Sequence, residues 1–276
     1  MTPAPTAPAP EWGDPTPTAS GQLLLRRAPG AVEVAFNRPD KHNSFTDEMY
    51  DGLLELCSEV SRDTSVRVVV VRGVGGRAFA AGNDIASFAD FTQGAHGVAY
   101  EAKVRRVLDA WYALPQVTVA AVDGICVGGG LAVATMCDLR LATPSSRFGY
   151  PIARTLGNAL SAPLVLRCAE VFGDPLTREM ILASRLVGAE RAYAVGALVA
   201  VVPPDELDEQ VWGVIDGVRK AAPLTVTTTK EQLRAGAVGY DPAVDDGRVS
   251  AAYGSADFRE GVRAFLAKEP PAFTGS

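Results

Sequence analysis

The sequence predicts an α/β fold, because short apolar runs alternate with segments whose apolar residues recur at helical spacing. Val66–Arg72 and Val117–Val122 are apolar runs of strand length, and a helical stripe that ends at Trp111 separates them. Strands that alternate with helices pair in parallel through right-handed crossovers. Beyond about residue 160 the pattern becomes mainly helical, so an α/β core precedes a helical C-terminal region.

The chain divides into three predicted regions. Residues 1–20 mix prolines with Thr, Ala and Ser, a composition that cannot build a core, so this segment is predicted to be disordered and order to begin at Gln22. Residues 21–200 form the predicted core. Residues 201–276 form the predicted C-terminal helical region.

The first elements of the core have recognisable turn and cap signals. Gln22–Arg27 and Ala31–Phe36 flank Ala28-Pro29-Gly30 and predict a β-hairpin. Ser44 to Asp47 resembles a capping box and predicts the start of a helix. The apolar face of that helix repeats at helical spacing: Met49, Leu53, Leu56, Cys57 and Val60.

The same periodicities predict the later helices and strands. A second helical stripe contains Val104, Val107, Leu108 and Trp111, and Leu139–Ala142 is a short predicted strand. The C-terminal half carries predicted helices at Leu164–Val171, Thr177–Ala183, Glu190–Val195, Glu206–Ala221 and Ala256–Ala267, with a strand at Leu198–Val202.

Composition excludes several classes of protein. A net charge of −6 argues against a nucleic-acid surface. No apolar run approaches the length of a membrane span, so no membrane partner is expected. The four cysteines are scattered and lack a metal-binding spacing, which favours buried thiols in a reducing cytoplasm. Neither a metal site nor a dinucleotide-binding fingerprint is present in the sequence, so no cofactor is predicted.

Two glycine-centred turns predict an oxyanion site. The first, Phe79 to Asp84, follows an apolar run, and the second, Gly128-Gly129-Gly130, follows Val117–Val122 and the turn Asp123-Gly124. Glycine lets a backbone N–H approach a ligand without a Cβ in the way. Each N–H aimed at a developing negative charge contributes roughly 3–4 kcal/mol in a transition state. The alternative is that Gly128–Gly130 only permits close packing of a helix.

The order of these motifs resembles the crotonase (enoyl-CoA hydratase/isomerase) superfamily. Asn37 to Ser44 resembles the N-terminal signature of that family, and Ala78 to Ile85 and Ala121 to Asp138 resemble its two oxyanion segments. Val195 to Pro203 and Asp257 to Phe265 resemble its later landmarks. The likeness runs from about Gln22 to Thr274 in family-like order, and several weak motifs in series make it specific.

The resemblance implies a spiral of ββα turns and a helical region for trimerisation, assembled as a homotrimer or a dimer of trimers. It implies an acyl-CoA thioester as substrate, with CoA as part of the substrate rather than a cofactor. The backbone N–H groups of Asn83 and Gly129 would hold the thioester oxygen. Substrate or CoA contacts would come from Lys41, His42, Ser44, Ala81, Asp84, Ile85, Gly128, Ile152 and Phe265. Lys41 is alternatively a solvated loop charge.

The sequence departs from the family where hydratases carry two glutamates. Those positions correspond to Ala132 and Ile152, neither of which can move a proton, and no acidic residue lies between Ala142 and Ala169. Tyr150 could donate a proton to an enolate, and Arg154 could clamp a substrate carboxylate. Their structural alternatives are a strand tyrosine with a surface hydroxyl and an arginine in a subunit contact.

These residues lead to two hypotheses of different class. The first is a lyase or isomerase that acts through an enolate, including decarboxylation of a carboxyacyl-CoA as one form; the missing glutamates argue against efficient hydration. The second is a CoA-thioester-binding protein without turnover. RNA binding is a weaker third option that the acidic charge opposes.

Overall fold

A computed structural model gives the structure of the chain and describes residues 11–88, 93–238 and 255–276. Its strands, in chain order, are β1 Thr16–Thr18, β2 Leu23–Ala28, β3 Ala31–Phe36, β4 Val68–Gly73, β5 Ala78–Ala81, β6 Val117–Val122, β7 Ile125–Val127, β8 Leu139–Ala142, β9 Arg147–Gly149, β10 Val187–Gly188 and β11 Ala200–Val201. The helices are α1 Asp47–Val60, α2 Gly94–Tyr112, α3 Gly129–Met136, α4 Ile152–Thr155, α5 Ala162–Ile181, α6 Ala189–Ala194, α7 Leu207–Lys220, α8 Pro223–Val238 and α9 Ala256–Ala267.

The strands form two sheets. The larger sheet has seven strands in the order β1-β2-β3-β4-β6-β8-β11, and the smaller has four in the order β10-β9-β7-β5. From β3 onward the larger sheet is parallel, and β5, β7 and β9 are parallel in the smaller one. The pairs β4–β5, β6–β7 and β8–β9 each place one strand in each sheet before the chain enters a helix. This repeated ββα turn confirms the predicted α/β core with helices at the C-terminal end.

Alternation along the strands divides the core between two layers. On β4, Val69 and Val71 face one apolar cluster, which contains the buried sides of α1 and α2. Val68 and Val70 face a second cluster, against which α7 packs through Leu207, Val211 and Ile215. Because both faces of this strand are buried, apolar residues occupy successive positions, which explains the continuous apolar run in the sequence.

The N-terminal boundary differs from the prediction. Order does not begin at Gln22, because β1 pairs antiparallel with β2 and Gly13 N–H donates to Arg27 C=O at 2.9 Å. Trp12 stacks against Trp212 with ring centroids 4.9 Å apart, which gives this proline-rich segment an apolar anchor. Pro17 lies in β1, which is the edge strand of the sheet, where proline is tolerated. The rest of the predicted disordered segment, residues 1–10, lies outside the described residues.

Helix α1 begins later than the capping-box pattern predicted. Thr46 is its N-cap, and the Thr46 hydroxyl accepts from Met49 N–H at 3.3 Å. The Ser44 hydroxyl instead accepts from Arg38 Nη1 at 3.2 Å. The sequence places the helix correctly but assigns the cap to the wrong hydroxyl.

Helix α5 contains the break that separates two predicted helices. Gly173 adopts φ 77° within the helix, and Pro175 follows two residues later. Both residues interrupt a regular α-helical backbone. The predicted helices Leu164–Val171 and Thr177–Ala183 therefore correspond to the two arms of one broken helix.

Buried polar contacts dock the C-terminal helices on the larger sheet. Lys230 of α8 donates to Asp138 Oδ2 at 2.6 Å and to Gln116 C=O at 2.5 Å. Asp138 also accepts from Thr118 N–H at 2.7 Å, so its carboxylate serves the core. All four cysteines are free and buried, as predicted. Within the described residues no helix is long and apolar enough to cross a bilayer.

Candidate active site

The loop from Arg38 to Ser44 is fixed by one buried asparagine. Asn43 is fully buried in left-handed conformation, with φ 57°. Its Nδ2 donates to Val74 C=O at 3.0 Å and Ala78 C=O at 2.8 Å, while its Oδ1 accepts from Arg38 N–H at 2.9 Å. Asparagine tolerates this conformation better than most residues, because its short side chain forms local hydrogen bonds. The loop is thereby attached to the strand that leads into the first glycine turn.

The first turn, Ala81 to Asp84, is held along one edge by the same loop. Phe45 N–H donates to Gly82 C=O at 2.8 Å, and Asp84 N–H donates to Phe45 C=O at 2.7 Å. Backbone groups alternate in direction along extended chain, so the intervening N–H of Asn83 faces away from Phe45. Among the described residues it has no protein acceptor. Gly82 makes the turn possible with φ 96°.

The second turn, Val127 to Gly130, enters the buried helix α3. Gly128 has φ 53°, and its N–H donates to Gly149 C=O at 3.1 Å. Gly129 is the first residue of the helix, where N–H groups have no intrahelical acceptor. The helix N-terminus also carries partial positive charge. A Cβ on Gly128 would lie 3.0 Å from the Cα of Gly82, so the structure brings the two glycine turns into backbone contact.

Tyr50 lies between the two turns. Its hydroxyl donates to Asn83 Oδ1 at 2.6 Å, and a Cβ on Gly129 would lie 2.7 Å from both of these atoms. Burial raises the pKa of Tyr50 well above its ordinary value, so the hydroxyl keeps its proton. Nothing in the sequence indicates this role, because Tyr50 resembles one more apolar position of α1.

Several of the predicted CoA-binding residues lie on the loop from Arg38 to Ser44 or just after the first glycine turn. Lys41 and His42 are exposed at the end of a 3₁₀ turn, and His42 C=O accepts from Ala81 N–H at 2.9 Å. Ser44 is half-buried beside Arg38. Ile85 is 58% exposed at the start of the next 3₁₀ turn.

Asp84 is committed to an ion pair. Arg38 Nη2 lies 2.8 Å from Asp84 Oδ2, and this hydrogen bond lowers the pKa of the carboxyl. Such a carboxylate is a poor proton acceptor near neutral pH. Its contact with Arg38 ties the first turn to the loop that precedes it.

The residues after β9 begin next to the second glycine turn, because Gly149 C=O accepts from Gly128 N–H. Tyr150 is fully buried beside Thr135 and Cys168, and burial raises its pKa, so the surface-hydroxyl alternative is wrong. Ile152 is buried at the start of α4, whereas Arg154 is exposed and forms no ion pair within the described part of the chain. Ala132 is buried on α3. The prediction for Phe265 falls on a side chain outside those described.

A cavity of about 550 Å³ opens beside α2, and we call it the α2 cavity. Its wall is mainly apolar, with Val98 and Tyr100 on α2 and Leu156 and Leu160 on the segment between α4 and α5. Neither Tyr150 nor Arg154 belongs to this wall. After burial, Tyr100 is the next influence that raises the pKa of Tyr50, so the cavity wall lies beside the Tyr50 side chain.

Glu101 is the carboxylate on the cavity wall. It is half-buried, and it accepts a hydrogen bond from the Ser161 backbone N–H. Burial is the largest influence and raises its pKa, against the opposing effects of that hydrogen bond and of Arg105. Sequence reasoning missed Glu101, because a charged residue beside Lys103 and Arg105 reads as part of a solvated helix face.

Known proteins are similar to this chain in both sequence and fold. The model of the family Enoyl-CoA hydratase/isomerase matches residues 26–276. A putative enoyl-CoA hydratase of Thermus thermophilus is 34% identical over 253 residues, which cover 88% of this chain and 98% of that protein. Methylmalonyl-CoA decarboxylase of Escherichia coli is 27% identical over 249 residues, which cover 88% and 94%. The crystal structure of an enoyl-CoA hydratase/carnithine racemase from Magnetospirillum magneticum matches with a TM-score of 0.86 and 32% identity, covering 92% of this chain and 96% of that one.

Proposed function

The chain belongs to the enoyl-CoA hydratase/isomerase family, as the resemblance in its motifs predicted, and on that premise we propose that it catalyses a reaction of an acyl-CoA thioester through an enolate. The thioester oxygen is held by the backbone N–H groups of Asn83 and Gly129. The observation that supports this most directly is the contact between Gly82 and Gly128, which joins two turns from different strands. Two donors at one oxygen stabilise the enolate charge more than the neutral carbonyl, which lowers the barrier.

The α2 cavity is the proposed pocket for the acyl chain. Its wall includes Tyr100, which with burial raises the pKa of Tyr50, and the wall is largely apolar. Each CH₂ group buried there contributes about 0.8 kcal/mol to binding. We therefore expect an apolar acyl chain rather than a charged one.

The CoA end is proposed to lie on the opposite side, along the loop that contains Lys41 and His42. Both residues are exposed there, and a lysine ammonium attracts a phosphate. By analogy with the family, residues 201–276 are proposed to support a homotrimer or a dimer of trimers. The buried free thiols are consistent with a reducing cytoplasm.

The reaction is proposed to be proton transfer at the carbon next to the thioester rather than efficient hydration. Hydration needs groups that orient water and deliver a proton, and the positions proposed to match the family glutamates hold Ala132 and Ile152. Isomerisation of a double bond needs only one group that removes and returns a proton. Decarboxylation, the reaction named for the E. coli relative, is the second candidate, since it also produces an enolate that must be protonated.

Exchange of the α-protons of butyryl-CoA with D₂O, followed by NMR, tests the proposal. An enzyme that stabilises the enolate exchanges these protons, whereas a binding protein without turnover holds butyryl-CoA in calorimetry and exchanges none. Hydration of crotonyl-CoA at the rate of ordinary hydratases would contradict our interpretation of Ala132 and Ile152. Catalytic exchange without rapid hydration is the expected result.

A further inference from the structure

Outside the glycine turns, the reactive group of interest is the Glu101 carboxylate on the wall of the α2 cavity. The cavity is bounded by α2 on one side and by the segment from Leu156 to Ser161 on the other. Among the described residues that line it, Glu101 is the only carboxylate, and Arg105 is the only cationic side chain. An otherwise apolar pocket with one acid is a setting in which proton transfer by that acid is favoured.

The position of Glu101 relative to the glycine turns follows from its neighbour. Tyr100 precedes Glu101 on α2, and, besides burial, both of these residues raise the pKa of Tyr50, which places the three side chains near one another. Tyr50 in turn donates to Asn83 Oδ1 at 2.6 Å. An acyl chain that runs from the Asn83 amide past Tyr50 into the α2 cavity, as proposed above, would bring its first carbons toward Glu101.

The groups around Glu101 leave its proton exchangeable. Arg105, one turn along α2, and the Ser161 N–H favour the carboxylate form, while burial favours the protonated form more strongly. The tyrosines nearby, Tyr50 from α1 and Tyr150 after β9, have raised pKa values and stay neutral. Glu101 is thus the carboxyl group of the cavity wall, and burial favours its protonated form.

We propose that Glu101 is the catalytic acid–base of this enzyme, acting on the carbon next to the thioester carbonyl. The carboxylate removes a proton from that carbon, the C–H electron pair becomes the C=C bond of the enolate, and negative charge moves to the thioester oxygen. In the reverse step the enolate takes the proton from the Glu101 carboxyl group, at the same carbon or at the γ-carbon of an unsaturated chain. This inference rests on the proposed enolate function.

The glutamine variant separates this role from a structural one. Glu101 could serve only to anchor the start of α5 through the Ser161 N–H. Glu101→Gln keeps an oxygen that accepts this hydrogen bond but cannot carry a proton. We expect it to fold with an unchanged melting temperature, to bind butyryl-CoA like wild type, and to lose α-proton exchange by a factor of roughly 10²–10⁴. Glu101→Asp should recover part of the rate, since it restores the carboxyl group.

Glu55→Gln is the matched control, because Glu55 is an exposed glutamate on α1 outside the α2 cavity, and its exchange rate should equal that of wild type. The pH profile gives a readout that a structural role would not change. The wild-type rate should rise with pH through the raised pKa of Glu101 and then level off, and this step should be missing in Glu101→Gln.

Two outcomes would overturn the inference. They differ in whether the proposed enolate function is overturned as well. If wild type exchanges and Glu101→Gln exchanges within about 3-fold of it, Glu101 is not the acid–base but the enolate function stands. If wild type binds butyryl-CoA and exchanges nothing, both the enolate function and the role of Glu101 are overturned.

Discussion

The substitution Gly129→Ala tests whether the amide at the start of α3 acts on the substrate. The added Cβ would lie 2.7 Å from both Asn83 Oδ1 and the Tyr50 hydroxyl, closer than real Cβ contacts come. Both atoms would have to retreat by several tenths of an ångström into a region where Tyr50 is fully buried. The methyl group and the displaced Asn83 side chain would then crowd the space between the two turns.

The expected effect differs between activity and stability. The methyl group and the displaced Asn83 side chain would keep the oxyanion away from the Gly129 N–H, and one such donor is worth roughly 3–4 kcal/mol, so kcat/KM should fall by a factor of roughly 10²–10³. The overlap of the added Cβ with buried atoms should also cost about 1–3 kcal/mol of folding stability. The lost hydrogen bond between Tyr50 and Asn83 costs about 1 kcal/mol. Alanine recovers up to about 1 kcal/mol over glycine as a helical residue.

The measurement is butyryl-CoA proton exchange together with urea unfolding, on wild type, Gly129→Ala and Gly213→Ala. Gly213 is a matched control, because it is an exposed glycine inside α7 with no atom within 4 Å of an added Cβ. Its alanine variant should gain stability and keep full activity. A folded Gly129→Ala that exchanges protons within about 3-fold of wild type would refute the oxyanion argument.

Three further predictions follow from the same structure. Tyr50→Phe removes the hydroxyl that fixes Asn83, so kcat should fall by a factor of roughly 2–10 with little change in KM, and steady-state kinetics would contradict this if KM alone changed. The pKa of Asp84 is lowered by Arg38, so its contribution to stability is complete above pH 3.8 and is lost as the pH falls through the lowered pKa; the difference in unfolding free energy between wild type and Asp84→Asn should shrink in that range, and a constant difference would contradict it. Burial raises the pKa of Cys57 to about 12 and those of Cys137 and Cys168 to about 11, so mass spectrometry should find all four cysteines unmodified by iodoacetamide in the native protein and modified in urea.

The sequence predicts the larger sheet better than the smaller one. Val117–Val122 and Leu139–Ala142 have the predicted bounds, because strands covered on both faces read as continuous apolar runs. Strands β7 and β9 have three residues each, which is too short for a period to be recognised. The sequences of β5 and β7 also merge with the glycine turns that follow them.

The residues of the candidate site also differ in how far the sequence predicts them. The glycine turns are visible because positive φ angles at Gly82 and Gly128 demand glycine, and the structure brings them into contact. Tyr50 and Glu101 are not visible, since their roles depend on partners 33 and 60 residues further along the chain, at Asn83 and Ser161. Tyr150 was selected from its place in a motif, and its fully buried side chain does not line the α2 cavity.

Because Asn43 and Phe45 bond directly to the strand and turn that present Asn83, the loop proposed to bind CoA and the turn proposed to hold the thioester oxygen form one hydrogen-bonded piece of backbone. Binding energy from the CoA end of a substrate can therefore help to position the thioester for reaction. A thioester cut back to its pantetheine arm should bind more weakly and also react more slowly once bound.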